Sequence, residues 1–138
     1  MTAAAGGVGN IRPRVVSVDL PPHPSSATRA RRLAREHVAA CPPEVIDTVA
    51  LLVTELVTNA ILHARTELHL EIDVMPTRIR LRVKDSCPQV PVVRHYGAED
   101  VTGRGLALVE LLATDWGIEE TPDGKAVWCE IVIPVTEA

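Results

Sequence analysis

The sequence predicts a single α+β domain in which helices are layered on a β-sheet, and three observations carry that prediction. Residues 43–64 place apolar side chains at helical spacing over a long run. Two pairs of segments, 67–75 with 78–84 and 116–119 with 126–132, alternate apolar and polar residues around short turns, the pattern of β-hairpins. Hydrophobic residues make up 46% of the chain but aromatics only 2%, with no Phe, so Val, Leu, Ile and Ala must fill the core. Small and branched side chains of this kind suit the contact between helices and a sheet. At 138 residues the chain has room for one such core.

Taken in order, residues 1–12 are small residues and glycine without periodicity and read as a disordered tail, leaving 13–138 as the domain. Val16, Val18 and Leu20 fall on one face of a strand that Pro21, Pro22 and Pro24 end, which marks it as an edge strand. Ser25 or Ser26 is expected to cap a first helix with Ala30, Leu33, Ala34, His37 and Val38 inward and Arg29, Arg31, Arg32 and Arg35 outward. Cys41-Pro42-Pro43 stops it, and Pro43 suits the first turn of the second helix. That helix presents Val45, Ile46, Val49, Leu52, Val53, Leu56, Val57, Ala60 and Ile61 to the core. The first hairpin turns at Pro76-Thr77. Residues 86–103 carry two prolines and no period, and a stretch of that kind in a compact domain reads as a functional lid. A short helix over 105–113 and a last hairpin turning at Pro122-Asp123-Gly124 complete the chain. Trp116, Trp128 and Tyr96 are the only bulky anchors on offer.

Composition also excludes several classes. A formal charge of -4 offers no overall basic field for nucleic acid or anionic lipid, and the arginines of the first helix read as a solvated face or a docking surface. Cys41, Cys87 and Cys129 are odd in number and widely spaced, which points to neither a disulfide framework nor a structural zinc site and fits a reducing cytoplasm. The longest apolar stretch is broken by Thr54, Glu55, Thr58 and Asn59, so no membrane span is expected, and the amino terminus does not read as a signal peptide.

The second helix is too apolar to be anything but buried, yet it carries Glu55, Asn59 and His63 at four-residue steps, in one stripe beside the apolar face. Buried polar groups need partners. An Asn carbonyl oxygen is a hard ligand suited to hydrated Mg2+ with phosphate, and a neighbouring Glu can take a proton from a hydroxyl. Asp85 closes a strand where the lid begins, and a carboxylate there accepts from adenine's exocyclic amino group while repelling the guanine carbonyl. Thr102-Gly103-Arg104-Gly105 runs into Leu106-Ala107-Leu108, gathering backbone amides and an arginine at a helix amino terminus, where the dipole favours phosphate. Singly, these residues read more readily as a contact with a lid arginine, a backbone cap, a turn aspartate and a glycine hinge with Arg104 in solvent. The dinucleotide fingerprint lacks its third glycine because position 108 is leucine, and no Gly-x-x-x-x-Gly-Lys run occurs.

Their combination and order, with Thr54-Glu55-Leu56-Val57-Thr58-Asn59-Ala60, His63-Ala64 and Thr102-Gly103-Arg104-Gly105-Leu106-Ala107-Leu108 as the specific pieces, resembles the GHKL superfamily of histidine kinase-like ATPases. The small size resembles its anti-sigma-factor serine/threonine kinase branch of bacterial transcription regulators. The resemblance implies a two-layer sandwich of helices on a mixed, mostly antiparallel sheet, the Bergerat-type ATP-binding fold. It implies ATP and Mg2+ as ligands, Glu55 as general base, Asn59 on the metal and Asp85 on adenine. Gly103, Arg104 and Gly105 would hold the phosphates with Thr102 and Leu106 beside them, and His63 is a pocket-wall or helix-end residue. The implied partners are a sigma factor and an antagonist protein phosphorylated on serine; whether the chain forms a homodimer is left open. Two positions depart from the family pattern. Cys87 stands where glycine is usual, and Ala126 stands where a threonine or serine often fixes the adenine edge. These departures motivate the alternative of a protein-binding module with weak or structural nucleotide. A sensor histidine kinase fits poorly, because only one helix precedes Glu44.

Overall fold

The chain runs β1 (Arg14–Leu20), α1 (Ser25–His37), α2 (Pro43–Ala64), β2 (Leu68–Val74), β3 (Arg78–Asp85), α3 (Arg104–Leu112), β4 (Asp115–Thr121), β5 (Gly124–Val132). This computed structural model describes residues 13–86 and 104–134, with side chains from 106 onward in the second stretch. The expected tail at 1–12, most of the lid, Cys87 and Tyr96 lie outside the described residues. The strands form one sheet in the order β1-β2-β3-β5-β4, and every pairing among them is antiparallel. β1 is an edge strand, as its following prolines require.

Strand alternation decides the layering. Leu68, Leu70, Ile72 and Val74 of β2 and Ile79, Leu81 and Val83 of β3 are buried, and Val127, Cys129 and Ile131 of β5 continue the same face. The helices cover this face, and each large side chain taken out of water there contributes roughly 1.5–3 kcal/mol. By length and composition α2 is apolar enough to cross a membrane. Here it is the core helix: Val45, Val49, Leu52, Val53, Leu56, Val57 and Ala60 are all buried, with α1 and α3 packed alongside. Pro43 occupies the first turn of α2, and Arg65 ends it in the left-handed region at φ 58°.

Two local expectations are corrected. Neither serine caps α1: the Ser26 hydroxyl instead donates to the Pro21 carbonyl at 2.7 Å, and the His23 ring accepts the Ser25 N–H at 3.1 Å. The proline-rich lead-in turns tightly enough that an imidazole reaches the helix end first. Trp128 is not a core anchor either, since alternation turns it to the sheet face opposite the helices, over Gly117 and 4.8 Å from the Arg80 guanidinium. That open face is a charged lattice, with Glu119 within salt-bridge reach of both Arg80 and Arg82 and Glu130 close to Arg78. Trp116, on the opposite side of the sheet, does pack against the core. Arg29, Arg31, Arg32 and Arg35 of α1 are exposed as expected, with Arg35 3.2 Å from Asp47.

Candidate functional site

The site grows from two places where a polar residue takes a position that the apolar pattern reserves for the core. On α2, Glu55 is half-buried, Asn59 is buried with 2% exposure, and His63 is exposed at the last turn. The stripe therefore passes from the rim through the interior to the helix end. The Oδ1 of Asn59 is buried and has no hydrogen-bond partner among the described residues. Leaving such an acceptor unpaired costs on the order of 1–3 kcal/mol, so it marks an atom built to meet something else. A hard cation fits it by donor chemistry. Among the described residues no three His, Cys, Asp or Glu side chains gather around a point, and a hydrated Mg2+ shared with phosphate needs no such cluster.

The second place is the end of β3. Leu81, Val83 and Asp85 form one inward row, so the buried apolar row terminates in a carboxylate that is itself buried. The Lys125 ammonium lies 2.9 Å from Asp85 Oδ2, and the Lys125 backbone N–H donates to Oδ1 at 3.3 Å. Both side chains of this ion pair are largely out of water, at 3% and 16% exposure. Beyond it, the Ser86 N–H donates to Thr66 Oγ1 at 3.0 Å and ties the strand end to the start of β2. Gly124 is required by close approach: a Cβ there would lie 2.2 Å from the Asp85 carbonyl oxygen.

Lys125 is the residue that the sequence reading missed. Ala126 pairs with Lys84 in the β3–β5 register, so alternation turns it away from Asp85, and the neighbour on the Asp85 side is Lys125. The alternation of Val127, Cys129 and Ile131 signals which face position 125 takes. Only the register names its partner.

The third piece is α3, which begins at Arg104 and packs against α2, with Leu106 and Val109 fully buried. Leu106 thus anchors the helix start in the core. Thr102 and Gly103 lie outside the described residues, as do the side chains of Arg104 and Gly105, although both of the latter belong to the helix. Asn59 and Leu106 are therefore set on two helices that pack together, while Asp85 closes the strand beneath α2.

Known proteins resemble this chain. An uncharacterised Streptomyces coelicolor protein, SCO4941, is 38% identical over 82 residues, covering 56% of this chain and 78% of that protein. Among solved structures, the RsbU and RsbW domains of Rv1364c from Mycobacterium tuberculosis match with a TM-score of 0.68 at 18% identity. That match covers 91% of this chain and 34% of the other, so the chain spans about a third of that longer protein and the likeness is one of fold. A family model described as a histidine kinase-like ATPase domain matches residues 20–131, from the end of β1 into β5 and across all three pieces of the site. The chain belongs to the histidine kinase-like ATPase domain family.

Proposed function

We propose that this chain is an ATP-binding regulatory protein of the anti-sigma-factor kinase type, which docks on a sigma factor in the cytoplasm and phosphorylates a serine of an antagonist protein. The observation that carries the reading is the buried, unpartnered Oδ1 of Asn59, one helical turn beyond a half-buried Glu55. Asn59 would hold Mg2+, which when bound supplies charge neutralisation for the phosphate oxygens. Asp85 offers a carboxylate oxygen to the exocyclic amino group of adenine. Residues Thr102 to Leu106, which lead in sequence into α3, would receive the phosphates on their backbone N–H groups with the helix dipole behind them, and Arg104 would add its charge. Glu55 accepts the proton of the serine hydroxyl as that oxygen attacks, its rim position leaving it open to a docked protein. Positioning of this kind is the main source of rate in phosphoryl transfer.

Calorimetry with ATP and Mg2+, followed by a labelled-phosphate transfer assay with the cognate antagonist, tests the reading. Saturable binding, its loss in Asn59→Ala, and transfer abolished in Glu55→Gln with binding retained are expected. ATP binding without transfer to a verified antagonist would sink the kinase claim. The engagement of Asp85 by Lys125 supports a second reading, a protein-binding module with weak or structural nucleotide, and ordinary affinity without turnover favours it.

A further inference from the structure

The carboxylate assigned to adenine already has a partner in the chain itself. Asp85 Oδ2 lies 2.9 Å from the Lys125 ammonium, and Oδ1 takes the Lys125 backbone N–H at 3.3 Å. The backbone half of this arrangement is fixed. Gly124 is pressed so closely on the end of β3 that an added Cβ would meet the Asp85 carbonyl oxygen at 2.2 Å. Lys84 Nζ and Asp123 Oδ1, 3.1 Å apart, bind the same two segments a second time. What remains free to move is the Lys125 side chain, a flexible stem whose head can return to water within a few bond rotations. We infer that Lys125 is a latch on the nucleotide pocket: its ammonium holds Asp85 in the free protein and must swing out before a purine amino group can take its place. This rests on the assignment of Asp85 to adenine made above.

The exchange is unequal, and that makes Lys125 a determinant of affinity. A charge-assisted hydrogen bond in a site shielded from water is roughly twice as strong as a neutral one, and the incoming amino group is a neutral donor. The latch therefore stabilises the free state against the bound state. Removing the ammonium while keeping an apolar stem removes the competitor, and a bond of this class corresponds to about a tenfold change in affinity or more. The Lys125 backbone N–H on Oδ1 survives any such substitution, so the carboxylate stays oriented.

The test is calorimetric titration of Mg-ATP into the wild type, Lys125→Met, Lys125→Gln, and Lys125→Met in an Asp85→Asn background. Lys125→Met is expected to bind about tenfold more tightly than wild type. Lys125→Gln, which keeps a neutral donor for the buried carboxylate, falls between them and carries the comparison alone if Lys125→Met does not fold. In the Asp85→Asn background the gain disappears, which a merely structural lysine would not predict. Unchanged or weaker ATP binding in the folded lysine variants, with the wild type binding normally, overturns the latch and leaves the adenine assignment standing. GTP bound more tightly than ATP by the wild type also overturns it, since the lysine would then be serving a base carbonyl. If neither wild type nor variants bind ATP, the adenine assignment itself fails and the latch falls with it.

Discussion

Replacing Asn59 by leucine separates a residue kept for folding from one kept for a ligand. Asn59 is 2% exposed and its Oδ1 has no partner among the described residues, so in the free protein this atom is a net cost of about 1–3 kcal/mol. Leucine keeps the same branched skeleton with bulkier methyl ends, and that added bulk costs about 1 kcal/mol at the low end for a packed core. The balance predicts that Asn59→Leu stabilises the free protein by about 1 kcal/mol, which for a domain of this size is a Tm rise of roughly 3–5 °C. The same change removes the proposed metal ligand, and affinity for ATP in the presence of Mg2+ is expected to fall by about tenfold or more. Thermal unfolding without nucleotide, paired with calorimetric titration of Mg-ATP, reads both quantities. A Tm lowered by several degrees with unchanged ATP affinity would refute the argument, because Asn59 would then be a satisfied core residue.

Gly124→Ala is expected to lose about 2 kcal/mol in urea unfolding, because the contact it creates is with Asp85 backbone that the sheet holds in place. Arg65→Gly should gain up to about 1 kcal/mol, since Arg65 ends α2 at φ 58°, where glycine has no Cβ penalty; a loss would show that the arginine side chain matters more. Burial, reinforced by the Arg14 charge, holds the His37 imidazole below its ordinary pKa of 6.5, while Arg14 donates to Nδ1 at 3.0 Å. The unfolded chain therefore takes up the proton first. Stability is full above pH 6.5 and drops as the pH falls through the lowered value, and His37→Gln should flatten that part of a urea midpoint-against-pH curve. Burial pushes the Cys129 thiol up to about 12 and raises Cys41 as well, so in a Cys87→Ser protein a thiol reagent should react only after unfolding. The Cys129 contribution to stability is complete below pH 9 and fades as the pH rises toward 12.

Most of the architecture was legible because local patterns and global packing agree here. The periodicity of 43–64 matches α2, and the hairpins fall where alternation and turn residues place them. What failed was local detail decided by geometry. Ser25 and Ser26 are ordinary capping residues in sequence, yet the fold of the preceding prolines brings the His23 ring to the helix end instead. Trp128 reads as core by hydrophobicity, but the parity of its strand puts it on the open face against Arg80.

The sequence by itself determined the helix-and-sheet layering and the polar exceptions within it, Glu55, Asn59 and Asp85, because each is an interruption of a period that can be counted along the chain. It could not show which exceptions have partners. The tertiary structure decided that Asn59 Oδ1 meets no partner among the described residues while Asp85 is held by Lys125, forty residues away in the chain. Pairing across β3 and β5 depends on sheet order and register, and both are set by how the whole inner face is buried rather than by any local run of residues.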